Sequence, residues 1–164
     1  MKNPTVRFFA GAISACFLFA SAPVAHAFPG ETAEARDARM EWWREARFGM
    51  FSHWGVYSVP AGVWNDQKIN RIAEWIQRWA RIPVDEYMLL KDQFNPVHYD
   101  ADAWVRLARD AGMRYIVITT KHHDGFCLWD SEHTDWDITA TPHGKDLLEP
   151  LAEACRKYGL KLCF

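Results

Sequence analysis

The sequence lacks an excess of charge of either sign. Its 164 residues carry 19 lysines and arginines against 21 aspartates and glutamates, which gives a formal net charge of −2. Proteins that bind nucleic acids present a basic patch or stripe to the phosphates, and no such stripe is present here. We therefore expect no nucleic-acid partner.

Cysteine is scarce, with four residues in the chain. Cys127, Cys155 and Cys163 lie in the region that we expect to form the folded domain, and their spacing matches no zinc motif. An odd number of cysteines in an exported chain leaves at least one free thiol. We expect Cys155 and Cys163 to be core residues, because both lie on apolar faces of their predicted elements.

The sequence also lacks an apolar run long enough to span a membrane. The apolar stretch over residues 8–22 is short and is soon followed by Pro23, whereas a spanning helix needs about 20 apolar residues. Its basic start and the small residues Ala25 and Ala27 are typical of a secretory signal peptide. We predict cleavage after Ala27.

This cleavage would give a signal peptide over residues 1–27 and a single incomplete catalytic domain over residues 28–164. The protein would then be exported to the periplasm or the medium, with no membrane attachment after cleavage. Lipoprotein anchoring through Cys16 is the alternative, since small residues precede that cysteine in the apolar run. The oligomeric state stays open.

Helix and strand patterns alternate in the remaining chain. Apolar residues recur with helical spacing over residues 31–47, 70–81 and 84–91, which predicts helices there. Short buried strands are predicted over residues 48–51 and 115–119. Asp100 and Asp146 are candidate N-caps of two further helices, which Gly112 and Gly159 end. A third strand begins at residue 160. Repeated helix, glycine and strand units predict a parallel α/β fold.

Histidines follow two of the predicted strands. His53 and Trp54 come after the first strand, and Lys121, His122, His123 and Asp124 after the second. The carboxyl ends of parallel strands meet at one rim, where ligands bind in such folds. These side chains are therefore expected to lie together.

Three kinds of site fit this rim. A metal could be bound by the histidines and Asp124, although adjacent residues of an extended chain point to opposite sides. Asp124 or a histidine could act as a general base. Neutral imidazoles could also bind sugar hydroxyls, because each can donate through one nitrogen and accept through the other. The third reading fits best, with tryptophans covering the sugar and Glu74 as a further acceptor; the chain has nine tryptophans.

These residues carry a resemblance to a known family. The strings RFGMFSHWGVYSVPAG, the Glu74-Trp75 pair and DADAWVRLARDAGMRYIVITTKHHDGFCLWDS resemble the α-L-fucosidases of glycoside hydrolase family 29. The resemblance implies the N-terminal portion of a (β/α)8 TIM-like barrel. It also implies retaining hydrolysis of terminal α-L-fucosides on glycans or small fucosides, without metal or organic cofactor.

The resemblance further implies particular site residues. His53, His122 and His123 match histidines that bind the fucose hydroxyls, Glu74 matches a glutamate of the same site, and Trp75 lies beside it. Retaining hydrolysis needs two carboxylates roughly 5–5.5 Å apart, and both are expected beyond Phe164. We expect this chain alone to be inactive. A non-catalytic fucose-binding relative is the alternative, and a metal-dependent barrel hydrolase is a further one.

Overall fold

The computed structural model describes residues 30–164. The predicted signal peptide, its cleavage site and Cys16 lie outside the described residues. The chain divides into two units, residues 1–39 and 40–164. Among the described residues of the first unit, the Arg39 guanidinium donates to both carboxylate oxygens of Glu31, at 2.7 and 3.0 Å.

The elements alternate largely as predicted. The α-helices are α1 (Ala33–Ala46), α2 (Ile76–Trp79), α3 (Val84–Met88), α4 (Ala101–Asp110) and α5 (Leu148–Tyr158), and the strands are β1 (Gly49–Ser52), β2 (Val63–Trp64), β3 (Gln67–Lys68), β4 (Tyr115–Ile118) and β5 (Lys161–Cys163). Short 3₁₀ turns lie between them. In residues 30–164, no helix is long and apolar enough to cross a membrane.

Three parallel strands form the main sheet, in the order β1-β4-β5. Gly49 pairs with Tyr115, and Ile116 pairs with Leu162. Parallel neighbours require a crossover connection, and the segment containing α4 joins β1 to β4 while α5 lies between β4 and β5. The predicted parallel α/β fold is confirmed.

Helices α4 and α5 cover one face of this sheet. Ile116 and Ile118 of β4 are each 1% exposed, and Val105 of α4 and Leu151 of α5 are fully buried. The two helices are also joined at the surface, where Asp102 accepts hydrogen bonds from Lys157 and from the Tyr158 hydroxyl. This face carries the centre of the core.

The predicted helix ends are confirmed. The Asp100 carboxylate accepts from the Ala103 amide at 3.0 Å at the start of α4. The Asp146 carboxylate accepts from the Leu148 and Glu149 amides at 2.6 and 2.9 Å at the start of α5. Gly159 ends α5 with a φ of 72°, a left-handed conformation in which glycine carries no Cβ penalty.

The opposite face of the sheet is open, so one sequence prediction was wrong. The strands were expected to be buried, but Phe51 of β1 is 64% exposed and Val117 of β4 is half-buried. Alternating residues of a strand point to opposite faces, and α4 and α5 cover only the face that carries Ile116 and Ile118. On the other face, Trp42 of α1 meets Tyr115 edge-on, with ring centroids 6.3 Å apart, while Phe51 and Val117 stay partly or largely exposed. None of the residues of α1 is buried.

The segment before α3 also differs from the prediction. The helix expected over residues 70–81 is confined to a 3₁₀ turn, Ala73–Trp75, and to α2. Ile72 is extended, and Arg81 ends the helix with a φ of 54°, while the Ile82 amide donates to the Gln77 carbonyl at 2.9 Å. This is a Schellman-type end in which arginine occupies the usual glycine position.

A β-hairpin in the same segment was missed. Strands β2 and β3 pair antiparallel, with Val63 opposite Lys68. Asn65 and Asp66 form the turn with φ values of 48° and 61°, the conformation that a two-residue hairpin loop needs. The Asn-Asp pair was the available signal, but each strand is only two residues long.

Candidate functional site

The two histidine-bearing strand ends lie side by side. Ser52 pairs with Ile118 at the carboxyl end of the sheet, and the Thr119 amide donates to the Ser52 carbonyl at 3.0 Å. The ring of His53 therefore comes within 5.6 Å of the ring of His122, measured between centroids. The expected convergence on one rim is observed.

The adjacent histidines are brought together by a turn. The Gly125 amide donates to the His122 carbonyl at 3.0 Å, and Gly125 has a φ of 81°. This turn places the His122 and His123 rings 4.9 Å apart and perpendicular. The chain thus bends where an extended strand would have sent the two side chains in opposite directions.

Trp75 joins this cluster from the segment that follows β3. Its ring centroid lies 6.0 Å from that of His122 and 4.3 Å from that of His123. Glu74 and Trp75 line, together with His123 and Asp124, a hollow of about 250 Å³, which we call the rim hollow. His53 reaches the cluster through its contact with His122.

Asp124 supports the turn. One carboxylate oxygen accepts from the Phe126 amide at 3.1 Å, and the other accepts from the Tyr87 hydroxyl at 3.0 Å. Burial raises the pKa of the Asp124 carboxyl, while these hydrogen bonds oppose the shift. The Trp136 indole donates to the Asp124 carbonyl at 3.0 Å. Because both oxygens are engaged, Asp124 holds the histidine turn in place.

His122 is suited to bind a neutral ligand. Burial lowers the pKa of its imidazole, and the nearby Asp124 carboxylate only partly opposes this effect. Its Nδ1 atom is buried and has no hydrogen-bond partner among residues 30–164. A bare nitrogen lone pair is better tolerated without a partner than a buried N–H, so we assign the proton to Nε2.

Tyr57 and Thr119 also contribute to the rim, and neither was predicted from the sequence to do so. Tyr57 is 5% exposed, and its ring lies 5.4 Å from the His122 ring. The Tyr57 hydroxyl and the Thr119 hydroxyl are 3.5 Å apart, and burial raises the Tyr57 pKa to about 12. A Cβ on Gly55 would lie 2.8 Å from the Tyr57 ring, which explains the glycine after His53-Trp54.

Trp54 directly follows His53 after the first strand, but its side chain packs against the core and not in the histidine cluster. Its ring contacts the rings of Phe94, Tyr99 and Trp104, with centroid distances of 5.2–5.7 Å. Successive residues of an extended chain alternate in direction, so Trp54 packs toward the core. Trp75 is the tryptophan that contacts the rim histidines.

Among the described residues, no group of three or more histidine, cysteine, aspartate or glutamate side chains is arranged to hold a metal ion. Cys127, Cys155 and Cys163 are free thiols; the first two are buried and Cys163 is half-buried. The arrangement at the rim therefore offers imidazole, carboxylate and indole groups to a ligand.

Comparison with known proteins identifies the family. The model of the α-L-fucosidase family matches residues 20–164. The chain belongs to the α-L-fucosidase family. Human plasma α-L-fucosidase is 35% identical over 136 residues, which are 76% of this chain and 29% of that protein. The fucosidases are glycosidases, so this is a family of glycoside hydrolases.

Solved fucosidase structures share the fold. A family 29 α-L-fucosidase from Bacteroides thetaiotaomicron superposes with a TM-score of 0.73 at 42% identity, over 75% of this chain and 28% of that one. The Lactobacillus casei α-L-fucosidase AlfC in complex with its α-L-fucose product gives 0.73 at 44% identity, over 75% of this chain and 38% of that one. The three-stranded sheet is thus part of a (β/α)8 barrel. The chain spans under a third of the length of the human relative.

Proposed function

We propose that this chain forms the fucose-binding part of an α-L-fucosidase that removes terminal α-L-fucose from glycans or small fucosides with retention. His53, His122, His123 and Glu74 would bind the sugar hydroxyls, and Trp75 would cover an apolar face of the ring. The observation that carries the proposal is the cluster at the rim: His53 from one strand end meets His122 from the other, and His122 and His123 both contact Trp75.

The protonation of the rim supports a neutral ligand. A neutral His122 with its proton on Nε2 donates one hydrogen bond, while the Glu74 carboxylate accepts. A phosphate or carboxylate at this point would call for several arginines or a glycine-rich loop. The lining of the rim hollow includes one arginine, Arg78, together with the acidic residues Glu74 and Asp124, and this lining disfavours an anion. A sugar ring with alternating hydroxyls meets both donors and acceptors here.

We further propose that the nucleophile and the acid/base carboxylates come from other strands of the barrel in the complete protein. Glu74 and Asp124 are the carboxylates that line the rim hollow, and Asp124 is already engaged on both oxygens. The fragment over residues 28–164 would bind fucose weakly and would not hydrolyse fucosides.

Export of the protein is part of the same proposal. Residues 1–27 would be removed by signal peptidase, and the mature chain would begin at Phe28. The test is mass spectrometry of the N-terminal peptide recovered from the periplasm or medium of the host. A lipid on Cys16 would instead favour anchoring, and a retained residue 1–27 segment would contradict cleavage.

The activity is tested in the full-length protein with an aryl α-L-fucoside. His122→Ala should lower kcat/KM by about fivefold to 100-fold, since it leaves a sugar hydroxyl without its hydrogen-bond partner, at a cost of roughly 1–3 kcal/mol. The matched control is His133→Ala, which changes an exposed histidine outside the cluster. Equal kinetics of the wild type and the His122 variant would remove this residue from the site.

A further inference from the structure

A second hollow adjoins the rim hollow. Ile72, Trp75, Arg78 and Trp79 line a cavity of about 490 Å³, which we call the outer hollow. We propose that the outer hollow binds the group to which the fucose is attached, and that it selects a group carrying a carboxylate or sulfate. This inference rests on the proposed function and specifies the class of substrate.

The two hollows are neighbours that share part of their lining. Trp75 and Arg78 line both of them. A fucose held by Glu74, Trp75 and His123 would therefore place its neighbouring group against the other side of Trp75 and toward Arg78. The outer hollow lies beside the rim, at the end of the barrel where ligands bind. This position suits the leaving group of the substrate.

The outer hollow has an apolar lining that is open to solvent. Ile72 is 60% exposed and Trp79 is 43% exposed. Exposed aromatic and aliphatic side chains next to a binding site commonly mark a ligand-contacting surface. The C–H face of a pyranose, or an aryl ring, can pack on such a surface, because aromatic side chains combine a large apolar area with a fixed shape.

The charge of the outer hollow favours an anion. The guanidinium carbon atoms of Arg71 and Arg78 lie 5.3 and 5.5 Å from the centroid of the Trp79 ring. Among residues 30–164, neither arginine forms an ion pair, whereas Arg106 and Arg109 pair with Asp102 and Asp110. No carboxylate lines the outer hollow.

Stacking on the indole leaves the arginine free to bind. An arginine stacked on an aromatic ring contacts the ring through the flat face of its guanidinium. The N–H groups at the edge of the guanidinium stay available for two parallel hydrogen bonds to a carboxylate or sulfate. The ring also restricts the arginine side chain, so less freedom is lost on binding. A neutral sugar would use the apolar lining but not the charge of Arg78.

The experiment uses the full-length protein and two matched substrates, 4-carboxyphenyl and 4-carbamoylphenyl α-L-fucoside. They have nearly the same shape and differ in charge. We measure kcat/KM for both with the wild type, Arg78→Gln, Arg71→Gln and the control Arg156→Gln, an exposed arginine of α5. The ratio between the two substrates is compared between proteins, so that the difference between the leaving groups cancels.

We expect Arg78→Gln to lower the carboxylate-to-amide ratio about fivefold to tenfold relative to wild type, the size of one charge-assisted hydrogen bond, and Arg71→Gln to lower it less. The wild-type ratio should also fall as salt is raised, while Arg156→Gln leaves it unchanged. Hydrolysis of both substrates with the same ratio in wild type and Arg78→Gln would overturn this inference alone. Hydrolysis of neither by the wild type would overturn the proposed function and this inference with it.

Discussion

The two faces of the three-stranded sheet differ sharply in their environment. On the face covered by α4 and α5, Ile116 and Ile118 are each 1% exposed, while on the other face Phe51 is 64% exposed. The covered face is a finished core built by local helix and strand units. The open face belongs to the interior of a barrel, which needs strands from all around it to fill its layers.

The site lies where the two environments meet. His53 continues the alternation of Phe51 on the open face, and the two rings stack with centroids 5.2 Å apart. The turn that carries His122 and His123 is supported by Asp124, which accepts a hydrogen bond from Tyr87, a buried residue of the core. One part of the candidate site is therefore anchored in the buried core, and the other part lies on the open face of the sheet.

The largest expected effect is on stability, and it compares a residue of the covered face with a residue of the open face. In residues 28–164, Ile118→Ala should lower the free energy of unfolding by about 2–5 kcal/mol, because it removes buried methyl groups and leaves a cavity. Phe51→Ala should change it by less than about 0.5 kcal/mol. The measurement is urea denaturation followed by tryptophan fluorescence. A comparable loss in both variants would mean that the open face is covered in solution.

A smaller effect is expected at the support of the histidine turn. Tyr87→Phe removes the donor to a buried Asp124 carboxylate and should lower the free energy of unfolding by about 1–3 kcal/mol. The control is Tyr99→Phe, which removes a hydroxyl that donates to the Leu147 carbonyl at 3.0 Å, and its cost should be about 1 kcal/mol. The same denaturation experiment compares the two, and a larger loss for Tyr99→Phe would contradict this role of Asp124.

The smallest effect concerns proton binding at the rim. The pKa of His122 should lie below 6.5, because burial disfavours the imidazolium. Just below pH 6.5 the folded protein then binds fewer protons at this residue than the unfolded chain, so stability rises with pH there. The contribution is complete above pH 6.5 and is lost as the pH falls through the folded pKa.

This behaviour is measured by NMR titration of the histidine ring protons, with signals assigned by His122→Ala. A midpoint for His122 at or above 6.5 would contradict the partly buried, neutral imidazole. The variant should also reduce the slope of stability against pH in the same range, since it removes the group whose proton uptake differs between the two states.

The sequence predicted what depends on local chemistry. Asp100 and Asp146 are strong helix caps, Gly159 is a helix end, and the β-branched run Ile116-Val117-Ile118 favours a strand. The rim followed from topology, because two parallel strands that each end in histidine must bring them to one edge. Those elements and the grouping of His53, His122 and His123 were therefore predictable.

What was missed depends on tertiary context. Helical periodicity over residues 70–81 could not reveal that Ile72 is extended or that Arg81 adopts a left-handed conformation, because packing overrides propensity over so few residues. Tyr57 looked like one aromatic among many. Its place beneath His122 depends on how the chain turns at Gly55, which no periodicity in the sequence reports.

The order of the strands has a consequence for folding. The sheet order β1-β4-β5 is also the order of these strands along the chain, and domains begin to form from their N-terminal side when a chain emerges N-terminus first. Each new strand can thus dock against one that is already in place, and none of the three must be threaded between two others. The sheet can grow at a single edge as an exported chain emerges from the membrane.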